Sequence, residues 1–326
     1  TVAPGRRRDR ARRAGQVSEM TTNAQRETHA DAAEPQGQPL AGKHIAITRP
    51  REQAAALADR LEALGARVSL LPSIRIAPIE DPAPLDAAIA HLSSYDWLIF
   101  TSVNGVRAFA ERLAATNHAW ADRGPARVAA IGPATAQALE RAGVSVDLTP
   151  DEYIAEGILE GLGLVAGQRM LLARADIARR SLADGLRLRG AEVDEVAAYR
   201  TIAQPVASDA LQRALDGDRV DAITFTSSST ARGLLDGLAA MGRDPGEALR
   251  GVALAAIGPI TAATLREHGL TPAIVAEEYT IPGLTSALVA YIEEQRAPQQ
   301  SERSSSHEPA KPGKPDDAAS QGANEL

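Results

Sequence analysis

Apolar and polar positions fall into blocks along this chain. Short apolar runs cover 45–48, 68–71, 98–100, 128–131 and 144–148, and stretches of helical period separate most of them. Pro50 stands where a helix begins and Gly65 where it ends, which suits proline at a first helical position and glycine just past a last one. Strands alternating with helices predict a parallel sheet covered on both faces.

The pattern then repeats. GKHIAITRPREQAAALADRLEALGARV begins at Gly42 and GQRMLLARADIARRSLADGLRLRGAEV at Gly167, an offset of 167 − 42 = 125. YDWLIFTSVNGVRAF from Tyr95 matches VDAITFTSSSTARGL from Val220, again 125 apart. AAIGPATAQALERAGV and AAIGPITAATLREHGL begin at Ala129 and Ala255, 126 apart, and DEYIAEGILEGL matches EEYTIPGLTSAL with Tyr153 and Tyr279 in register. Four blocks in one order indicate two copies of one α/β unit, each too long for a solenoid repeat.

The segments LPSIRIAPIEDP (71–82) and VAAYRTIAQPVA (196–207) are extended, end in prolines and lead into no helix directly. They are read as strands of a linker, 76–83 and 198–205. One discontinuous domain then comprises 42–75 plus 206–294, and the other 84–197. The tails, 1–41 and 295–326, are expected to be disordered, because their charge, Ser, Pro and Gly leave little apolar surface to bury. The Arg-rich start lacks an apolar core for a secretory signal, and Met20 is a candidate natural start.

Composition narrows the function. Aromatics are 3% of 326 residues, so the core must be aliphatic and stacking platforms are scarce. The net charge of −7 argues against a nucleic-acid partner. There is no cysteine, which excludes thiolate chemistry, disulfides and Cys-based metal sites. The six histidines are scattered, so no metal site is expected. No apolar run reaches the length of about 18 residues that a membrane span needs.

Ligands of parallel α/β sheets bind beyond the carboxyl ends of strands. Three matched pairs fall there: Arg49 and Arg174; Thr101-Ser102-Val103-Asn104 and Thr226-Ser227-Ser228-Ser229; and Gly132-Pro133 and Gly258-Pro259, with Thr135 or Thr261 following in the first helical turn. The hydroxyls suit helix caps, and the same free N–H groups favour an anion. No phosphate-loop or dinucleotide fingerprint is present, and Ser227 and Ser228 lack a nucleophile elbow. Tyr199, one of five tyrosines, lies in the second linker segment, where it either packs or presents a hydroxyl.

ITRP (47–50), FTSVNGVRAF (100–109), AIGPATAQAL (130–139), AAYRT (197–201), FTSSST (225–230) and AIGPITAATL (256–265) together resemble the uroporphyrinogen-III synthase family over about 42–293. The resemblance implies two flavodoxin-like domains with parallel sheets, joined by a two-stranded linker. It implies a cyclising hydro-lyase that takes hydroxymethylbilane, loses water, inverts ring D and closes uroporphyrinogen III for haem, sirohaem or cobalamin synthesis. No cofactor and no metal are implied. Tyr199 matches the family's linker tyrosine and becomes the candidate acid. Arg49, Thr101, Ser102, Asn104, Gly132, Arg174, Thr226, Ser227, Ser228, Gly258 and Thr261 become candidate binders of the substrate's carboxylate arms. A cytoplasmic monomer is expected, receiving its substrate from hydroxymethylbilane synthase. The rivals are a flavin-binding flavodoxin-like protein and a non-catalytic two-domain binding module. The position after the first strand, TRPREQ or ARADIA, has few of the hydroxyls a flavin phosphate loop would carry, and no acidic cluster marks a response-regulator relative.

Overall fold

A computed structural model describes residues 37–204, 208–217 and 219–305. The first half runs β1 (His44–Ile47), α1 (Arg51–Ala63), β2 (Arg67–Leu70), β3 (Ile74–Ala77), α2 (Ala83–Ala90), β4 (Trp97–Phe100), α3 (Val103–Ala115), β5 (Arg127–Ala130), α4 (Pro133–Arg141) and α5 (Ala155–Leu162). The second runs β6 (Arg169–Ala175), α6 (Ser181–Leu188), β7 (Glu192–Ala203), α7 (Ser208–Gln212), β8 (Ala222–Phe225), α8 (Ser228–Ala240), α9 (Pro245–Ala248), β9 (Ala253–Ala256), α10 (Pro259–Glu267), β10 (Ile274–Val275) and α11 (Ile281–Ser305).

Two five-stranded sheets form, in the orders β10-β9-β8-β1-β2 and β3-β7-β6-β4-β5. Every pairing is parallel except β3 with β7. The α/β class and the two parallel-dominated sheets are those expected. Alternation along each strand explains the layers. In the first sheet Ala46, Ile223, Phe225 and Leu254 point to one core cluster, while Ile45, Ile47, Ala222 and Ala255 point to another. In the second, Leu98, Phe100 and Leu171 face one cluster, and Trp97, Ile99 and Leu172 face the other. Runs such as HIAI and WLIF are buried throughout because helices cover both faces.

β7 is twelve residues long and serves two partners. Its first part pairs in parallel with β6, and its last four residues pair antiparallel with β3, from Ala77 opposite Arg200 to Ile74 opposite Ala203. The register with β6 shifts at Arg174/Ala175, so Ala197 opposes Arg174 but Tyr199 opposes Ala175. Adjacent residues of a regular strand point to opposite faces. This bulge at Ala198 instead sends Ala198 and Tyr199 into one core cluster.

Three expectations are corrected. No strand forms at 144–148; Leu148 makes only an isolated bridge to Ala129. Asp147 Oδ2 accepts the Val128 N–H at 2.7 Å, so a carboxylate satisfies a donor that a strand's carbonyl would have taken. The order begins before residue 42, because Leu40 is buried and Arg296 donates to the Pro39 and Ala41 carbonyls at 3.0 and 2.7 Å. It also continues past 294, since α11 runs to Ser305. The remainder of both expected tails, 1–36 and 306–326, lies outside the described residues. Among the described residues, no helix is long and apolar enough to cross a membrane.

Candidate active site

The turns after β4 and β8 and after β5 and β9 lead into helices α3, α8, α4 and α10. Ser102 caps α3, accepting the Gly105 N–H at 3.0 Å, and Ser227 caps α8, accepting the Thr230 N–H at 3.2 Å. Gly132 and Gly258 cap α4 and α10 with extended backbone. Each lies beneath a tyrosine ring: a Cβ on Gly132 would come within 3.1 Å of Tyr153, and one on Gly258 within 3.0 Å of Tyr279. The flat rings explain these glycines better than any backbone strain does.

The two sheets meet through these turns. Tyr153 and Tyr279 touch edge to face, with centroids 6.3 Å apart and planes at 87°. Gln53, in the first turn of α1, donates from Nε2 to Asn104 Oδ1 of α3 at 2.8 Å. Arg179, in the loop after β6, donates to Ser228 Oγ and Thr264 Oγ1, each at 3.2 Å. Thr264 Oγ1 in turn donates to Ser228 Oγ at 2.8 Å.

Tyr199 lies where the contacts converge. It is 7% exposed, and its hydroxyl is 3.0 Å from Ser102 Oγ. Burial raises its pKa, and Asp176 adds to the rise; hydrogen bonds from the Ser102 and Asn104 side chains pull the other way. A cavity of about 450 Å³ opens beside it, lined in part by Gln53, Ile76, Ile79, Asn104 and Arg107. That size falls within the range of about 300–1,000 Å³ usual for small-molecule pockets.

Arg49 is half-buried at the end of β1. Nη2 reaches Gln53 Oε1 at 3.3 Å, while Nε is buried with no partner among the described residues. Burial lowers its pKa, the mark of a cation that lacks a counter-charge. Arg49 thus reaches Asn104 through Gln53, and Asn104 lines the same cavity as Tyr199, whose hydroxyl meets Ser102. Thr101 and Thr226 sit half-buried at the ends of β4 and β8, and Thr261 is buried in the first turn of α10.

Arg174 does not join them. It is 4% exposed, and Glu195 of β7 takes it in a salt bridge, with Nε to Oε1 at 3.0 Å. Its repeat partner Arg49 lies beyond the end of β1, but β6 is drawn out by its long pairing with β7, so Arg174 remains inside the strand. It is corrected from a ligand-facing to a structural arginine.

Sequence reasoning missed Gln53, Arg179 and the two tyrosines as parts of this site. The tyrosines had a signal, since each follows its glycine by the same interval, 153 − 132 = 21 and 279 − 258 = 21. Gln53 and Arg179 had none, because their partners lie in the other copy of the repeat. Among the described residues, no group of His, Asp or Glu side chains could hold a metal ion.

Residues 55–286 match the family model described as uroporphyrinogen-III synthase HemD. A uroporphyrinogen-III synthase of Synechococcus elongatus is 39% identical over 254 residues, covering 77% of this chain and 96% of that protein. One from Chlorobaculum parvum is 27% identical over 252 residues, 76% of this chain and 98% of that protein. A crystal structure of a mutant uroporphyrinogen III synthase from the extreme thermophile Thermus thermophilus superposes with a TM-score of 0.56 at 23% identity, over 77% of this chain and 99% of that one, a likeness of fold.

Proposed function

The chain belongs to the uroporphyrinogen-III synthase family of tetrapyrrole biosynthesis, and from that premise we propose how the meeting of its two sheets performs the reaction. The substrate, hydroxymethylbilane, carries eight carboxylates. The N-termini of α3, α4, α8 and α10 offer free N–H groups and the positive ends of helix dipoles to those arms. Thr101, Thr226, Ser227, Ser228 and Thr261 add hydroxyl donors around these termini, and Gly132 and Gly258 allow close approach to the backbone. Arg49, half-buried and short of a counter-charge, supplies a charge-assisted bond.

Chemistry starts when the hydroxymethyl pyrrole expels its hydroxyl. Tyr199 gives that oxygen a proton, so water leaves; the phenolate recovers a proton at the end, when the free ring-D carbon loses its hydrogen on forming the last bond. The net change is loss of one water, which makes the enzyme a cyclising hydro-lyase. Unaided bilane closes without inverting ring D. Holding the arms on both sheets steers the bridge-bearing ring-D carbon into attack to form a spiro intermediate; its original bond to the bridge then breaks, and the freed bridge carbon bonds to the unsubstituted ring carbon, a course that orientation worth several kcal/mol can select.

The observation that carries this reading is the buried Tyr199 hydroxyl beside the cavity, with Ser102 Oγ 3.0 Å from it. We assign 42–75 plus 206–294 to one domain, 84–197 to the other, and 76–83 with 198–205 to the linker; that the first sheet draws all its strands from 42–75 and 206–294 supports the first domain, and the pairing of β3 with the end of β7 supports a two-stranded connection. The same reading makes the protein a cytoplasmic monomer that takes its substrate from hydroxymethylbilane synthase.

The test is an assay with hydroxymethylbilane in which the type I and type III products are separated. Wild-type protein should yield the type III isomer. Tyr199→Phe should lower kcat by about 100-fold, the usual scale of general acid catalysis, with KM little changed. Only type I product from wild-type protein would reject the activity, and unchanged turnover in the variant would remove Tyr199 from the mechanism.

A further inference from the structure

We propose that Arg179 is a substrate-binding residue: its guanidinium, held across the junction of the two sheets by neutral hydroxyls, exchanges them for a carboxylate arm of the tetrapyrrole. The proposal rests on the reading of the substrate as a bilane with carboxylate arms.

Arg179 lies in the loop between β6 and α6 of the second sheet. Its Nη2 donates to Ser228 Oγ, at the start of α8, and to Thr264 Oγ1 of α10, each at 3.2 Å. Thr264 Oγ1 also donates to Ser228 Oγ at 2.8 Å, so the guanidinium shares its acceptor with another donor. Among the described residues, no carboxylate pairs with Arg179. The charges nearest in the chain are engaged elsewhere: Arg180 lies 4.0 Å from Asp184, and Asp176 Oδ1 accepts the Ile177 and Thr201 N–H groups, each at 3.0 Å. A carboxylate bonds a guanidinium about twice as strongly as a neutral acceptor does, and the planar fork can take both of its oxygens at once. An arm that reaches Arg179 therefore displaces the hydroxyls.

The surroundings suit a pyrrole. Ile177, two residues before Arg179, is 48% exposed. Ile260, whose carbonyl accepts from Thr264 Oγ1 at 3.1 Å, is 41% exposed. Isoleucine is usually enclosed. Here an open apolar side chain stands on either side of one cation, and a ring with an apolar face and an acid arm matches both. The loop is also fixed relative to Tyr199. The Asp176 N–H donates to the Tyr199 carbonyl at 3.0 Å, and Asp176 Oδ1 holds Thr201 of the same strand. Hydrogen bonds to β7 thus place an arm on Arg179 with respect to the candidate acid.

Arg179→Met keeps the length of the side chain and removes its charge. KM for hydroxymethylbilane should rise about tenfold, the worth of about one charge-assisted bond, with kcat within about twofold of wild type. The dissociation constant of uroporphyrinogen III, titrated by calorimetry without turnover, should rise by the same factor. Arg179 is exposed, so the unfolding midpoint should not move. Arg179→Lys, which retains the charge without the fork, should fall between wild type and Arg179→Met.

Thr264→Val separates binding from tying. It removes one of the two hydroxyls that compete for the guanidinium, so KM should stay at or below the wild-type value. A residue that only tied the sheets together would lose its hold in either variant, and Thr264→Val would then raise KM as Arg179→Met does. That result overturns the proposal, and so does a wild-type KM and product affinity in Arg179→Met. Type I product alone from wild-type protein would instead reject the activity. The product titration reads Arg179 without turnover, so the two failures are told apart.

Discussion

Arg49 and Arg174 occupy equivalent places in the two copies of the repeat and do different work. Arg174 has its guanidinium enclosed and neutralised by Glu195, whereas Arg49 keeps a buried Nε without a partner among the described residues. Removing one member of an enclosed pair leaves a charge in a medium that cannot solvate it. Glu195→Ala should therefore cost about 3 kcal/mol, read as a lower urea midpoint. Its KM for hydroxymethylbilane should stay near wild type, because the Arg174 guanidinium is held by Glu195. Arg49→Met should do the opposite, holding stability and raising KM at least tenfold, the price of about one charge-assisted bond. Equal effects of the two substitutions on KM would show that Arg174, like Arg49, contributes to substrate binding. Sequence alone could not separate these arginines. Both end an apolar run, and what divides them is the length of β6, which is set by pairing with a strand that follows it in the chain.

Helix entrances show which parts of the site a sequence can reveal. Thr-Ser followed by an amphipathic stretch marks a cap by local chemistry alone, and Ser102 and Ser227 both cap as their positions suggest. Runs such as WLIF and AITF likewise declare strands covered on both faces. The bulge at Ala198, which turns Tyr199 into the core beside Ser102, lies where β7 passes from pairing with β6 to pairing with β3, and no local pattern encodes it. Nor does one encode the failure of 144–148 to form a strand, which depends on Asp147 meeting a particular N–H. The paired caps allow a controlled comparison. Ser102→Ala and Ser227→Ala should each cost about 1 kcal/mol of stability in thermal or urea unfolding, the worth of a cap. Only Ser102→Ala also frees the Tyr199 hydroxyl, so it should lower kcat more than Ser227→Ala does. Equal effects on kcat would mean that the Ser102–Tyr199 contact has no part in turnover.

At the scale of the whole molecule, contacts between the two sheets cover the helix starts. Tyr153 lies over Gly132 at the start of α4 and Tyr279 over Gly258 at the start of α10, and the two rings touch. Arg179 reaches across to Ser228 and Thr264, and Gln53 to Asn104. If a bilane's arms are to reach those helix starts, the rings must move aside, which predicts that binding parts the contacts. Each is weak enough for that. An aromatic pair contributes about 1 kcal/mol beyond its buried area, and the polar links are partly exposed to water. Tyr153→Ala together with Tyr279→Ala should therefore favour separated sheets about fivefold, the factor that 1 kcal/mol commands in an equilibrium. Small-angle scattering without substrate should give a larger radius of gyration for the double variant than for wild type, and saturating product, which holds the rings aside in both, should bring the two to the same value. The prediction fails if the double variant and the wild type scatter alike, because the ring contact would then contribute nothing to closure and the linker pairing of β3 with β7 would set the geometry alone.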